Sequence, residues 1–167
     1  TGITAVKAWS VIPVDQRKGW SLRICGEGND RTMLESLIAQ LGLGSEIQLV
    51  GQVSDIESEY EGAGLFVLSS RFEGFGLVVL EALGFGVPVV SFDCPAGPSE
   101  IIEDGIDGVL VSPEDVEGLA CAIATVMNNE AKRLAMAKAA LRERPQFTEE
   151  VIGAQWISLF EFLGCHR

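Results

Sequence analysis

Two carboxylates eight positions apart, Glu73 and Glu81, flank a Gly74-Phe75-Gly76 turn inside the otherwise apolar stretch SSRFEGFGLVVLEALGFGVPVV, residues 69–90. The turn follows an apolar run, LFVL at 65–68, and precedes a helical pattern that starts near Phe75 or Gly76. The first N–H groups of such a helix have no partner within it, and together with the helix dipole they favour a phosphate. Gly74 and Gly76 let the backbone approach that anion closely. At about 1.5 Å of rise per residue, Glu81 lies roughly 7 to 9 Å along the helix, its side chain tilted back towards the start. A carboxylate there can accept two hydrogen bonds from a ribose diol, while Glu73, on the preceding loop, faces the other end of the same ligand. An anionic centre with a hydroxyl-bearing ring on either side describes a nucleotide-sugar.

The same spacing also fits blander chemistry: an ordinary loop charge at Glu73 and a partly exposed helix charge at Glu81. It fits as well the acid and base of a glycoside hydrolase, if the two stand across a sugar bond. The glycine pairs at 26–28 and 74–76 do not complete a dinucleotide-binding G-x-G-x-x-G, because Arg31 and Val79 occupy the third positions. Taken alone, each pair is as consistent with a strand-exit turn as with a ligand loop.

Composition removes several other chemistries. With 24 Asp and Glu against 12 Lys and Arg, the formal charge of −12 repels phosphate backbones and anionic head groups, so neither nucleic acid nor a membrane surface is expected as a partner. The lone histidine, His166, stands next to the C-terminus, which argues against a Ser-His-Asp site, a Cys-His site or a multi-histidine metal site. No metal cluster and no cofactor is expected. Cys25, Cys94, Cys121 and Cys165 are scattered without C-x-x-C spacing, which favours a reducing, cytoplasmic setting. Every apolar run breaks before about 18 residues, and the N-terminus lacks the pattern of a signal peptide.

The elements that must position the carboxylates follow from periodicity. Short apolar runs at 21–25, 46–50, 65–68, 88–92 and 108–111 read as buried parallel strands. Helical patterns at 3–12, 31–41, 55–63, 76–85 and 99–103 alternate with them. A longer helix is expected over 114–128, with Ser112 as its cap and Pro113 and Glu114 in its first turn. Residues 130–144 form a further amphipathic helix ended by Pro145, and Thr148 caps a last one over 149–163, whose apolar stripe is expected to pack on the domain. The alternation predicts one α/β domain over residues 1–167, a Rossmann-like open parallel sheet with helices on both faces.

At these residues the sequence resembles the two-Rossmann-domain (GT-B) retaining glycosyltransferases of group 1, also called family 4. The resemblance covers nearly the whole chain and corresponds to that family's C-terminal, donor-binding half. It is most specific over residues 64–111, where Glu73 and Glu81 stand as the family's E-x7-E pair, and LRICGEG and IQLVGQVSDI agree with the two preceding units. The resemblance implies that Glu73 is catalytic and approaches the donor sugar hydroxyls. It implies that the backbone of Gly74, Phe75, Gly76 and Leu77 receives the diphosphate and sugar, that Glu81 holds the ribose, that Gly26 lines the pyrophosphate site and that Val53 faces the base. A metal ion is usually not needed in such enzymes.

Two departures from the family pattern stand out. The strand ending in Gly-Arg and the Lys-Gly that follows it, which open the family's domain and neutralise the diphosphate, have no counterpart after Thr1. Arg17 and Lys18 lie just before the 21–25 strand, at the wrong side of the sheet to replace them. With that first strand missing from the order 3-2-1-4-5-6, the strands at 21–25 and 65–68 are expected to pair directly or to be bridged by another chain. The acceptor domain is absent as well, so the chain alone is expected to transfer sugar very poorly. The expected partners are therefore a nucleotide-diphosphate sugar and the missing N-terminal acceptor domain or another chain, a second copy included. Against this donor-domain reading stand a non-catalytic module that keeps only the fold and, less favoured, a nucleotide-sugar epimerase. For the last helix, with Trp156 and Phe160, the resemblance implies a segment that packs across the domain junction and is partly exposed here.

Overall fold

The computed structural model describes residues 2–142 and 147–162. In chain order its elements are α1 (Gly2–Val11), α2 (Val14–Arg17), β1 (Leu22–Cys25), α3 (Arg31–Gln40), β2 (Ile47–Gly51), α4 (Ile56–Glu61), β3 (Phe66–Leu68), α5 (Leu77–Gly84), β4 (Val89–Phe92), α6 (Pro98–Ile101), β5 (Gly108–Val111), α7 (Val116–Met127), α8 (Glu130–Ala140) and α9 (Glu149–Phe162). All five strands fall within a residue of the apolar runs that predict them, and every ladder is parallel. Only the short α2 has no counterpart in the sequence reading.

Helices cover both faces because neighbouring strand residues point opposite ways. Val90 and Phe92 join Val67, Trp9, Leu119 and Ile123 in one core, whereas Val89 joins Phe66, Leu68, Tyr60, Val79 and Leu83 in the other. β4, flanked by β3 and β5, is buried along its whole length, as a strand with neighbours on both edges and both faces must be. Its one polar side chain, Ser91, is satisfied by donating to the Phe92 carbonyl at 2.8 Å.

The sheet is not continuous. β1 pairs with β2, and β3-β4-β5 form a separate three-stranded sheet, so the expected direct pairing of the strands at 21–25 and 65–68 does not occur among the described residues. Side chains join the two sheets instead. Leu22, Ile24 and Leu49 from the first, and Val67, Val90 and Phe92 from the second, share the core beneath α1 and α7. The Trp20 ring packs against Gly64, where a β1-β3 ladder would have to begin, leaving a Cβ at that glycine only 2.9 Å from the indole. The Arg133 guanidinium lies over the Trp20 ring, 5.1 Å from its centre.

Two helix ends differ from expectation. α7 is capped by Asp115, whose carboxylate accepts from the Gly118 N–H at 2.8 Å; Ser112 is not the cap, and Glu114, at φ 64°, cannot belong to a first turn. Asp115→Ala is expected to cost about 1 kcal/mol, a fall of roughly 2–4 °C in the unfolding midpoint that calorimetry would detect. α8 stops at Ala140, where Arg142 turns out of the helical course to reach Glu103 at 2.9 Å and the buried Asp107 at 3.7 Å. Pro145, expected as that helix's stop, lies outside the described residues, as do Cys165 and His166. Thr148 does cap α9, accepting from the Val151 N–H at 3.4 Å.

Among the described residues, the stripe of α9 is not covered by the rest of the chain. Trp156 and Phe160 stack loosely on each other, ring centres 5.7 Å apart, and both stay about half exposed, as do Ile157 and Leu159. An apolar face of this kind ordinarily buries against something.

Candidate functional site

Both carboxylates and both glycine turns leave from the carboxyl ends of the parallel strands, the edge at which open α/β sheets bind ligands. After β3 the chain runs through the buried Ser69 and Ser70, the exposed Arg71 and Phe72, the half-buried Glu73 and the exposed Gly74 before α5 begins. Gly76 is the N-cap of α5 at φ 86°, a left-handed conformation suited to glycine, and it brings no side chain to the helix start. The start is thus left to its own N–H groups, with Leu77 exposed beside them.

The turn is held from three sides. Gly97, at φ 137°, lies so close beneath it that a Cβ would stand 2.2 Å from the Phe75 carbonyl oxygen. Phe147 meets the Phe75 ring edge-on at 5.5 Å. Cys94, at the end of β4, is buried under the loop. Burial raises its thiol pKa, and the negative charge of Glu73 raises it further, so the two groups are close.

Glu81 is exposed on α5, and its Oε2 accepts a 3.0 Å hydrogen bond from the Tyr60 hydroxyl. Tyr60 comes from the last turn of α4 and is buried, stacked on Phe85 at 5.5 Å and tilted against Phe66 at 6.0 Å. Burial, and then the bond to Glu81, raise its hydroxyl far above the ordinary tyrosine range, so it remains protonated and a donor.

Gly26 and Val53 form a second group. The Gly26 N–H donates to the Gly51 carbonyl at 2.7 Å, which ties the β1 exit to the β2 exit, and Val53 follows two residues later, half-buried. What this group shares with the turn is the strand-end edge. Cys25, the residue before Gly26, ends β1: partial burial, and then the Glu59 carboxylate on α4, raise its thiol pKa, which sets the end of β1 beside the helix that carries Tyr60.

The cations near this edge are engaged elsewhere. Arg71 pairs with Glu114 at 2.8 Å, Arg31 with Glu27 and Glu35, and Arg23 with Glu59 through two 2.7 Å bonds. Arg17 sits at the opposite end of the sheet against Glu46, just before β2, in keeping with the expectation that it does not serve this edge. Among the described residues no group of three or more His, Cys, Asp or Glu side chains could hold a metal ion. No helix among them is long and apolar enough to cross a membrane.

Two contributors escaped the sequence reading. Tyr60 left one clue, being the sole tyrosine of the sequence on an otherwise acidic helix, and Gly97 left a Gly-Pro loop signal only.

Parallel sheets, helices on both faces and a glycine-capped helix start, with one glutamate before it and one a turn within the helix, are the features of one half of a GT-B glycosyltransferase fold. The family described as glycosyl transferases group 1 matches residues 3–143, and this chain belongs to that family. It is 42% identical over 150 residues to the exopolysaccharide phosphotransferase SCO2592 of Streptomyces coelicolor, covering 89% of this chain and 16% of that protein. Against the poly(glycerol-phosphate) alpha-glucosyltransferase of Bacillus subtilis it is 32% identical over 152 residues, covering 88% of this chain and 22% of that one. Among solved structures, TarM superposes with a TM-score of 0.85 at 27% identity over 95% of this chain and 31% of its own. Anabaena Alr3699/HepE, solved in complex with UDP, gives 0.81 at 25% identity over 98% of this chain and 45% of its own. The chain therefore spans less than half of the proteins it resembles.

Proposed function

We propose that this chain is the donor-binding half of a retaining glycosyltransferase that acts in polysaccharide or glycolipid synthesis. The observation that carries the reading is the start of α5: Gly76 caps it without a side chain, Glu73 stands before it and Glu81 one turn within it. The N–H groups there bind the diphosphate, with Gly74 and Gly76 allowing close approach and Phe75 and Leu77 contributing backbone. Glu81 takes the ribose diol, Glu73 the sugar hydroxyls, Gly26 the far side of the pyrophosphate and Val53 the base. The UDP complex of HepE supports a nucleotide in this role.

In transfer, the bond from the anomeric carbon to the diphosphate breaks as an acceptor hydroxyl attacks and gives its proton to the departing diphosphate, which also stabilises the oxocarbenium-like charge beside it. No metal ion is required in this scheme. The acceptor and the second wall of the cleft come from a domain outside this chain, so the chain alone binds donor without appreciable transfer.

Calorimetric or NMR titration with UDP, GDP and ADP tests the reading and identifies the base. Saturable binding is expected, weakened by about 1–3 kcal/mol in Glu81→Ala, the cost of losing a charged hydrogen-bond partner. No binding at millimolar nucleotide would overturn it in favour of a module that keeps the fold without the function.

A further inference from the structure

We propose that Tyr60 is a positioning residue that holds Glu81 in the orientation in which it meets the ribose diol. This rests on the reading of Glu81 as the ribose-binding group.

A glutamate on an exposed helix face turns freely about three side-chain bonds, and ordering it on a ligand costs conformational entropy. Here one carboxylate oxygen is already engaged, because the Tyr60 hydroxyl donates to Oε2 at 3.0 Å. The hydroxyl itself is fixed. Its ring is 6% exposed and clamped between Phe85, stacked at an interplanar angle of 20°, and Phe66. The same hydroxyl lies 3.4 Å from the Val78 carbonyl, in the first turn of α5, a longer contact than the one through which its single proton is donated to the carboxylate. Oε1 and the remaining lone pairs of Oε2 stay available to accept from a diol.

Phe66, Phe85 and the body of Tyr60 form an apolar platform whose packing does not need the hydroxyl. Removing the oxygen alone therefore separates positioning from folding. Tyr60→Phe keeps the stack, leaves no charge behind and frees the carboxylate.

The test is a double-mutant cycle on binding, using wild type, Tyr60→Phe, Glu81→Ala and the double variant. The probes are the tightest binder among UDP, GDP and ADP, its 2′,3′-dideoxy counterpart, and inorganic pyrophosphate. Tyr60→Phe is expected to weaken the ribonucleotide about 3- to 10-fold, the range of one hydrogen bond. It is expected to leave the dideoxynucleotide and pyrophosphate unchanged, and to add nothing in the Glu81→Ala background. Because Tyr60 is the sole tyrosine, 3-fluorotyrosine labelling gives one fluorine resonance in the otherwise unaltered chain. That resonance is expected to move with the ribonucleotide and not with pyrophosphate.

If Glu81→Ala weakens the ribonucleotide and Tyr60→Phe does not, the positioning role is overturned while the ribose reading stands. Equal weakening of all three probes by Tyr60→Phe reduces its hydroxyl to a structural support and likewise overturns the proposal. If neither variant changes ribonucleotide binding, or no nucleotide binds, the ribose reading falls and the positioning role falls with it.

Discussion

Gly97→Ala is expected to lower the unfolding midpoint by about 6–12 °C and to weaken nucleoside diphosphate binding at least about tenfold. The added methyl would stand 2.2 Å from the Phe75 carbonyl oxygen and 2.7 Å from its carbon. Both are backbone atoms, so no side-chain rotation relieves the clash. Alanine also disfavours φ 137°. Strain and overpacking together cost about 3 kcal/mol unless the loop or the turn moves, and the Phe75 turn is the segment that has to receive the diphosphate. Gly74→Ala supplies the contrast, since nothing lies within 4 Å of a Cβ there and its φ is ordinary. Its midpoint should stay close to wild type while the extra methyl crowds the ligand side. Differential scanning calorimetry of both variants, followed by titration, separates packing from approach; an unchanged midpoint for Gly97→Ala would refute the argument.

Glu46→Ala should destabilise the fold by about 3 kcal/mol, measured by urea unfolding. Arg17 is 6% exposed, its Nη1 donates to Glu46 Oε2 at 2.7 Å, and the Trp9 indole N–H donates to the same oxygen at 3.0 Å. The Arg17 Nε already lacks a partner, so the guanidinium has no second acceptor to fall back on once the carboxylate is gone. Removing one member of a buried pair strands the other; removing both does not. The double change Arg17→Met with Glu46→Leu leaves no stranded charge, only the buried Trp9 N–H without its acceptor, and is therefore expected to lose less than Glu46→Ala alone, about 1–2 kcal/mol relative to wild type. A loss under about 1 kcal/mol for Glu46→Ala alone would show that water reaches Arg17 freely. Neither variant touches the strand-end edge, so nucleotide affinity, once corrected for the folded fraction, should not change.

Legibility in the sequence followed the range of the physics. Strands at the five apolar runs and the helix after Gly76 depend on side-chain periodicity and glycine chemistry, which act over a few residues. The pairing of Glu73 with Glu81 on either side of one helix start was likewise readable, because eight positions span one loop exit and one helical turn. Cap identities were less secure. Ser112 and Asp115 are both good capping residues, and which one serves depends on where the chain leaves β5. The stripe of α9 has the helical period that usually signals packing, yet period cannot say whether a partner surface stands opposite.

By itself, then, the sequence determined the alternation of strands and helices, the glycine-capped start of α5 and the two carboxylates around it, since each arises within a window of about ten residues. Only the tertiary structure decided that Tyr60 holds Glu81, that Gly97 sits under Phe75, that Glu46 neutralises Arg17 and that β1 and β3 stand in separate sheets. These are meetings between residues brought together by crossovers through the sheet. Their partners are set by where the helices return the chain and by what the shared core excludes, and no local pattern encodes either.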